Sequence, residues 1–420
     1  MRENDESGAE LYMLGLTPLQ GEEPSGDEWW AHINESLTSL GAHLAESVGG
    51  LYSGNIEKSS FGIALIVDDL FVGEWGGEDY LVTRRLRSKL DARYGETKYE
   101  ENPTAFTSYA IAYNRTLGCV TIYMTQKCLE AAHEYLPQLT QGVRPSARLK
   151  KGETLERLAD ELRLPPAEQR RSKLDKEQQR VQKIIGSLKF LEKTRIDLSL
   201  PIHRLSCIMS CPPKEATLVA ELVLERAYDG RNTGITYGGV NDEVKAGSKS
   251  TFDVHFGAPL KLQGVADATW SQPTDLYGVL ITANGGAVFH QTKKIGVVLQ
   301  SSMEAEGYAT GKLSEGIVYG REIAHALGIE LGGATRCATD NSSNLQVSSG
   351  TGAANRTRHC VRRFLVFRQR VMEGPVSLEH VKDEDNPADF LTKWMSAKKF
   401  ELSLAYASDS HNVVKLSQIP

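Results

Sequence analysis

The spacing of apolar residues along the first 125 positions alternates between helix and strand. In WWAHINESLTSLGAHL, residues 29–44, apolar side chains recur every three or four positions, which predicts a helix, and residues 79–93 have the same character. Between them, FGIALIVDDLFVGEW predicts a hairpin with two aspartates at its turn. TSYAIAYNRTLGCVTIYMT alternates like a second hairpin. The pattern therefore predicts an α/β region.

The pattern changes twice after residue 125. Residues 126–230 are predicted to be mostly helical, broken by the charged stretch VRPSARLKKGE and by Pro165-Pro166. From residue 252, three strand-like runs are followed by a long helix over about 302–327. A strand RCATD, an arginine-rich helix, a strand VSLEHVK and a last helix beginning near Pro387 complete the order. This β-β-β-α-β-α-β-α order predicts a mixed sheet flanked by helices.

Length and composition are typical of a globular protein with more than one domain. The chain has 420 residues, of which 40% are hydrophobic, so we expect two or three domains with sizeable cores. The start, MRENDESGAE, lacks a secretory signal, and no apolar run approaches the roughly 18 residues of a membrane span. The six cysteines form no Cys-x-x-Cys pair, which indicates reduced thiols. We expect a soluble intracellular protein, cytoplasmic or nuclear, without a membrane partner.

The net charge of -6 conceals strong segregation along the chain. Residues 1–60 contain eleven acidic and two basic residues, whereas residues 144–195 contain fifteen basic and eight acidic residues. A second basic block, NRTRHCVRRFLVFRQRV over residues 355–371, has six arginines and no acid. Such blocks are either solvated helix faces or surfaces for a phosphate-bearing partner, and composition leaves both interpretations open.

Four acidic residues lie at strand ends or in helices of the predicted C-terminal elements, where they can come together in the fold. Asp267 lies near the end of the first strand, Glu306 in the long helix, Asp340 at the end of RCATD and Asp389 at the start of the last helix. If the first and fourth strands are neighbours, Asp267 and Asp340 lie side by side, with Glu306 above them. Clustered carboxylate oxygens suit Mg²⁺ or Mn²⁺. The alternative is four ordinary surface acids among the 54 of the chain.

Five short motifs in this region carry a resemblance to a known family. ADATW, SSMEAEGYA, CATDNSSNL, NRTRHCVRRF and EHVKDEDNPADFLTKWM occur in this order within residues 264–395, which resemble the ribonuclease H domain of copia-type retrotransposon polyproteins. The resemblance implies hydrolysis of the RNA strand of an RNA–DNA hybrid with two Mg²⁺ or Mn²⁺ ions. It also implies that Asp267, Glu306, Asp340 and Asp389 are the catalytic metal ligands. The implied partner is an RNA–DNA hybrid or another nucleic acid.

The Asp68-Asp69 pair is interpreted through the same family. IVDDLFVG resembles the Tyr-Val-Asp-Asp box of a copia-type reverse transcriptase, which implies that Asp68 and Asp69 are Mg²⁺ ligands. QRVQKIIGSLKFLEKTRIDLSLPIHRLS resembles the family's segment connecting polymerase and nuclease. The family needs a further aspartate well upstream, and only 67 residues precede Asp68, so we expect a truncated polymerase part that is inactive alone. The alternative is a hairpin turn with its acids in water.

Three positions depart from the family pattern. Ile66 replaces a tyrosine, Thr269 replaces a second aspartate in the first nuclease motif, and Gly307 replaces an aromatic residue after Glu306. None of the three removes an expected nuclease ligand. The resemblance extends from about Trp30 to Met395.

The arginine-rich block supplies candidate contacts to nucleic acid. Guanidinium groups suit phosphate, and the candidates are Arg356, Arg358, Arg362 and Arg363. His359, in the same motif RTRH, is interpreted as a structural or phosphate contact, with proton transfer as the alternative. We expect His380, in SLEHVK, to be a residue of the sheet.

The long helix contains two candidate glutamates. At about 100° per residue, Glu306 falls within roughly 20° of Leu313 and Ile317, which form the stripe predicted to face the sheet. Glu304 lies about 180° from Leu313 and is predicted to point toward solvent. The spacing therefore favours Glu306 as the ligand.

These observations combine into one expected organisation and one expected function. The predicted segments are an acidic lead (1–28), a partial reverse transcriptase palm (29–140), a basic, mainly helical connection (141–250), a ribonuclease H-like domain with a mixed five-stranded sheet flanked by helices (251–400) and a tail (401–420). The expected function is metal-dependent hydrolysis of the RNA strand of RNA–DNA hybrids by a retrotransposon Pol fragment. The alternative is a decayed relic that binds nucleic acid without catalysis.

Overall fold

The computed structural model describes residues 3–4, 10–11, 23–46, 48–77, 80–167, 173–239, 243–248, 260–271, 274–350 and 361–409. The chain divides into two units, Met1–Glu101 with His325–Gly328, and Asn102–Ala324 with Ile329–Pro420. Within the described residues, no helix has both the length and the apolar character needed to cross a lipid bilayer.

The first unit contains the predicted hairpin and its flanking helices. In chain order its elements are β1 (Glu3–Asn4), β2 (Glu10–Leu11), α1 (Glu23–Thr38), β3 (His43–Leu44), β4 (Leu51–Ile56), β5 (Ser59–Ile66), β6 (Asp69–Trp75) and α2 (Leu81–Tyr94). Strands β3 to β6 form an antiparallel sheet in chain order. Helix α1 ends earlier than predicted, because the chain turns at Gly41, whose φ of 85° favours glycine, and His43 already pairs with Ser53.

The core of the first unit lies between this sheet and its two helices. Phe61 and Ile63 of β5 are buried, as their alternate positions along the strand require. Ile33 and Leu37, one turn apart on α1, belong to the same buried cluster. The apolar spacing of both elements therefore corresponds to the faces that they bury.

The second unit begins with the second predicted hairpin and a group of helices. These elements are β7 (Ala105–Phe106), β8 (Tyr109–Asn114), β9 (Cys119–Tyr123), α3 (Thr125–Tyr135), α4 (Leu155–Glu161), α5 (Lys176–Leu191), α6 (Ser199–Ser206), α7 (Ala216–Asp229) and β10 (Ile235–Tyr237). Short 3-10 helices lie at Pro137–Gln141, Pro145–Arg148 and Ile196–Leu198. The strands form an antiparallel sheet in the order β10-β9-β8-β7. The helices share one buried apolar core.

Part of the basic block over residues 144–195 is used inside the protein. Glu221 and Glu225 of α7 are buried. Arg148 and Arg180 form ion pairs with Glu221, and Arg144 lies within 3.5 Å of Glu225. A buried carboxylate is costly unless it is paired. These arginines therefore stabilise α7. This internal role differs from both interpretations of the basic block made from the sequence, a solvated helix face and a surface for phosphate.

The C-terminal part of the second unit contains a five-stranded mixed sheet. Its elements are β11 (Leu262–Thr269), β12 (Leu276–Ala283), β13 (Gly286–Lys294), α8 (Ser302–Ala326), β14 (Thr335–Thr339), α9 (Ser342–Ser348), α10 (Val361–Met372), β15 (Val376–His380) and α11 (Ala397–Ser408). The strand order is β13-β12-β11-β14-β15. Strand β11 is antiparallel to β12 and parallel to β14, and β14 is parallel to β15. The predicted five-stranded mixed sheet with helices is confirmed.

The end of this region differs from the prediction. The last helix begins at Ala397, not near Pro387, and a short 3-10 turn, Asp389–Leu391, precedes it. Asn386 provides the reason, since its side-chain oxygen accepts the N–H of Ala388 at 2.9 Å and holds the chain in a local turn. The side chain of Ser396 then accepts the N–H of Lys399 and begins α11.

Candidate metal centre

Two neighbouring strands bring the first pair of predicted acids together. Val265 of β11 is the parallel partner of Ala338 of β14. Asp267 lies two residues after Val265, and Asp340 lies two residues after Ala338. Because the strands are parallel, both acids fall at the same edge of the sheet. The predicted proximity of Asp267 and Asp340 is confirmed.

Helix α8 brings Glu306 to the same edge. Leu313 and Ile317 pack so closely on β11 that a Cβ added to Gly264 would lie 2.7 Å from Cδ1 of Leu313. Glycine at this position therefore allows the close approach of helix and strand. Glu306 is buried, and its Oε1 accepts the N–H of Ala268 at 3.2 Å.

Asp267, Glu306 and Asp340 lie close enough together to share one cation. One carboxylate oxygen from each residue lies within 4.8 Å of the other two. Asp267 is 1% and Glu306 5% exposed, and Oε2 of Glu306 is buried without a hydrogen-bond partner. Buried carboxylate oxygens that lack a donor suit a hard divalent cation such as Mg²⁺. The residues therefore fit the ion that the family resemblance implies.

A second group of acids shares Asp340 with the first. Oxygens of Asp340, Asp383 and Asp389 also lie within 4.8 Å of one another. Asp389 is fully buried at its 3-10 turn, whereas Asp383 is exposed in the short turn Asp383–Asp385. Asp383 was not among the predicted ligands. The run of acids after the strand VSLEHVK was the only sequence signal for it.

Two lysines lie among these acids. Nζ of Lys393 is 3.2 Å from Oδ1 of Asp389, 3.6 Å from Oδ1 of Asp267 and 3.5 Å from Oδ1 of Asp383. Lys399 forms an ion pair with the other oxygen of Asp389. The ammonium groups compensate part of the negative charge, and neither lysine was predicted to belong to the site.

Neutral side chains of the motif NPADFLTK orient the acids. The hydroxyl of Thr392 donates to Oδ2 of Asp267. The amide of Asn386, which is fully buried, donates to Oδ2 of Asp340 at 3.0 Å and lies 3.4 Å from the backbone oxygen of Ala266. One segment thus fixes the orientation of Asp267 in β11 and of Asp340 directly after β14.

Burial, and in part the proximity of the other acids, raises the pKa values of the carboxyl groups in the cluster. Burial raises the pKa of Asp267 to about 7, the charge of Asp389 adds to this effect, and Lys393 opposes it. Burial also raises the pKa of Glu306 well above its usual range, with further contributions from Asp267 and Asp340. Burial raises the pKa of Asp389, while Lys399 opposes it. A bound divalent cation would relieve this repulsion, so the electrostatics favour cation binding.

The predicted solvent orientation of Glu304 is wrong. Glu304 is only 4% exposed, and its Oε2 accepts the N–H of Gln300 at 2.8 Å. Glu304 lies in the first turn of α8, where the preceding loop covers the helix face that angular spacing assigned to solvent. The angular spacing of residues shows which side of an isolated helix faces the sheet. It does not show that the loop before the helix covers part of the opposite side.

The Asp68-Asp69 pair lies in the first unit at the β5–β6 hairpin. Val67 and Asp68 form the turn, and Asp69 pairs with Ile66. Val67 has a φ of 59°, which is unusual for a β-branched residue, and its carbonyl accepts the indole N–H of Trp29 at 2.8 Å. Both aspartates are exposed. Among the described residues, neither belongs to a group of three acids within ligand distance.

The side chains of the five predicted phosphate contacts lie outside the described part of the structure. Arg356, Arg358 and His359 lie outside the described residues. Arg362 and Arg363 belong to α10, but their side chains also lie outside the described part. His380 ends β15, as predicted, and its Nε2 lies 3.1 Å from the backbone oxygen of Asp340.

Comparison with known proteins identifies the class to which this sequence is similar. The chain is similar to copia-type retrovirus-related Pol polyproteins of plant transposons, which confirms the resemblance predicted from its motifs. No model of a known protein family matches it.

Three relatives define this similarity. The retrovirus-related Pol polyproteins from transposons RE2 and RE1 of Arabidopsis thaliana are each 27% identical over 222 residues, which cover 52% of this chain and 14% of each relative. The Pol polyprotein from transposon TNT 1-94 of Nicotiana tabacum is 25% identical over 224 residues, which cover 52% of this chain and 15% of that relative. The chain thus spans about one seventh of the length of these relatives.

Proposed function

We propose that the C-terminal acid cluster hydrolyses the RNA strand of RNA–DNA hybrids and depends on Mg²⁺ or Mn²⁺. The observation that carries this proposal is the convergence of Asp267, Glu306 and Asp340 at one edge of the mixed sheet. Similarity to Pol polyproteins supports a nucleic acid as the substrate. Burial, together with repulsion between the acids, raises the pKa values of Asp267 and Glu306, and a cation bound between them would offset both effects.

The two overlapping acid groups provide ligands for two ions. Asp267, Glu306 and Asp340 would hold one ion, and Asp340, Asp383 and Asp389 would hold the second. Bound ions supply Lewis acidity, which promotes formation of hydroxide from water and stabilises the leaving oxygen of a phosphodiester.

The protein's own groups would act by positioning and charge. Thr392 and Asn386 orient Asp267 and Asp340 through their hydrogen bonds. The backbone N–H of Ala268 fixes one oxygen of Glu306 and leaves the other available for a ligand. Lys393 offers a positive charge beside the cluster, where a phosphate of the substrate would arrive.

The remaining segments fit a Pol-derived organisation. We propose residues 29–140 as a partial reverse transcriptase palm, 141–250 as the connection and 251–400 as the ribonuclease H-like domain. In this proposal Asp68 and Asp69 are metal ligands of the polymerase-like part that need a further carboxylate to complete a working site. The phosphates of the hybrid are contacted by the basic residues of the arginine-rich block, which are Arg356, Arg358, His359, Arg362 and Arg363.

The test is cleavage of an RNA–DNA hybrid that carries a label on the RNA strand. We expect cleavage with Mg²⁺ or Mn²⁺ and none with EDTA. Asp267→Asn should abolish it, whereas Glu315→Gln should not, because Glu315 is an exposed residue of α8 that pairs with Lys312. Absence of metal-dependent cleavage by the folded wild-type chain would refute the proposal. Retained binding in that case would favour the non-catalytic relic.

A further inference from the structure

A groove lies beyond the end of β11, the strand that carries Asp267, and is not used by the proposed chemistry. Its volume is about 890 Å³, and its lining includes Trp270, Asp275, Lys294, Val297 and Val298. It is bounded by the end of β11, the start of β12 and the loop that follows β13. A cavity of this size accommodates one or two nucleotide-sized groups.

Two segments that line the groove are connected along the chain to proposed metal ligands. Trp270 follows Asp267 by three residues along the course of β11. The loop over residues 295–301 leads into α8, which carries Glu306. The groove therefore lies at the same end of the sheet as the acids. A polymer bound across the acids would need to extend by only a few nucleotides to reach it.

The exposed groups in the groove are aromatic, aliphatic and cationic. Trp270 is 52% and Val298 88% exposed. Lys294 is also exposed. Among the described residues that line the groove, the one acid is Asp275, and its carboxylate accepts the backbone N–H of Ser271 at 3.1 Å. The indole of Trp270 and the ammonium group of Lys294 in one groove offer a stacking surface together with phosphate-binding charge.

We propose that this groove binds a single-stranded stretch of nucleic acid continuous with the hybrid, with Trp270 stacked on one base and Lys294 paired with a phosphate. The proposal rests on the proposed function for the identity of the polymer. An unpaired base is required because stacking on a side chain needs a face that is not covered by neighbouring bases. The groove would thus favour hybrids that end in a single-stranded extension.

Binding without metal tests the groove separately from hydrolysis. Fluorescence anisotropy in EDTA would compare a blunt RNA–DNA hybrid with the same hybrid carrying a four-nucleotide RNA extension. We expect the wild-type chain to bind the extended probe roughly tenfold more tightly, the order of magnitude of one base stack. Trp270→Ala should remove this preference, and Trp270→Phe should retain most of it because it keeps a ring.

Matched variants identify the source of the effect. Trp75→Ala removes an exposed tryptophan of the first unit and should preserve the preference. Lys294→Ala should reduce the salt dependence of binding to the extended probe, whereas Lys312→Ala, which removes a lysine paired with Glu315, should not. If Trp270→Ala unfolds the chain, Lys294→Ala and the Trp270-dependent quenching of fluorescence, compared with Trp270→Phe, decide the question.

The outcomes distinguish binding in the groove from hydrolysis at the acid cluster. A Trp270-dependent preference for the extended probe without metal-dependent cleavage would support the groove and refute the hydrolysis. Cleavage with equal binding of blunt and extended probes, or with no effect of Trp270→Ala and Lys294→Ala, would overturn the groove and leave the hydrolysis standing.

Discussion

Nζ of Lys393 lies 3.2 Å from Oδ1 of Asp389 and 3.6 Å from Oδ1 of Asp267. Burial lowers the pKa of Lys393, but the charges of Asp267 and Asp389 outweigh burial and raise it above its usual range. The lysine is therefore a firmly charged cation between two carboxylates that the family resemblance assigns to metal binding. A divalent ion that uses both carboxylates must displace the ammonium group or share them with it.

Removal of this ammonium group should tighten cation binding. At about 4 Å and an effective dielectric constant of about 20, two unit charges repel by roughly 4 kcal/mol before screening, and a divalent ion is repelled about twice as strongly. Lys393→Met should therefore lower the Kd for Mn²⁺ at least ~10-fold. Isothermal titration calorimetry measures this affinity. The metal-free variant should also melt at a lower temperature, because Asp267 loses a compensating charge.

Lys398→Met is the control for this change, since Lys398 is an exposed neighbour on α11. Its Kd for Mn²⁺ should remain within about twofold of the wild-type value, the scale of a weak surface charge. Equal Mn²⁺ affinity of the wild type and Lys393→Met would show that the lysine and the ion do not compete.

Glu306→Gln should eliminate cleavage and retain the fold. The substitution preserves the acceptor for the N–H of Ala268 and removes one of several repelling buried charges, so the metal-free chain should be at least as stable as the wild type. Hydrolysis of the hybrid should fall by roughly 10²-fold or more, as when a group that stabilises transition-state charge is lost. Single-turnover cleavage and thermal melting in EDTA measure the two effects.

Glu304→Gln is the matched change on the same helix turn. Glutamine retains an oxygen acceptor for the N–H of Gln300, so cleavage should change only slightly even though Glu304 is buried. A comparable loss of cleavage from both substitutions would mean that Glu304, rather than Glu306 alone, serves the metal centre.

His290 makes stability depend on pH. Its Nε2 lies 3.1 Å from the backbone oxygen of Glu192, and its Nδ1 lies 3.1 Å from the hydroxyl of Ser199. Burial lowers the pKa of His290 to about 4, below the value of about 6.5 expected in an unfolded chain. Between these values the unfolded state binds the extra proton, so this contribution to stability is present above pH 6.5 and is lost as the pH falls toward 4.

Urea unfolding at pH 7.5 and pH 5 tests this linkage. The loss of unfolding free energy on acidification, up to about 1.4 kcal/mol per pH unit from one histidine, should be smaller in His290→Gln than in the wild type. The raised pKa of Asp267 acts in the opposite direction, but it is common to both chains and cancels in the difference. Parallel pH profiles for the two chains would contradict the role of His290.

The parts of the site that regular secondary structure determines could be predicted from the sequence. Asp267 near the end of one strand and Asp340 at the end of another lie side by side once the first and fourth strands are taken as neighbours, which they are. Helical periodicity places Glu306 on the face of Leu313 that packs on the sheet. These inferences needed only the repeat of each element and a choice of neighbouring strands.

The parts that depend on irregular chain were missed. Asp383, Asn386 and Lys393 meet the strand acids through two 3-10 turns, where no periodicity relates sequence distance to direction. The solvent assignment of Glu304 failed for a related reason, because the loop before α8 covers the first turn. Tertiary contacts of short connections, rather than element spacing, determine these positions.

The position of Asp68 and Asp69 on an exposed hairpin bears on whether this chain alone has polymerase activity. Both aspartates are exposed, and no third acid of the described residues lies within ligand distance of them. A polymerase centre that binds Mg²⁺ through carboxylates requires several converging oxygens, since the ion has six ligand positions and fewer charges bind it weakly. This chain alone should therefore incorporate no labelled nucleotide on a primed RNA template above the level of the double variant Asp68→Asn, Asp69→Asn. Extension by the wild-type chain that the double variant lacks would show that the pair is a working metal site as it stands.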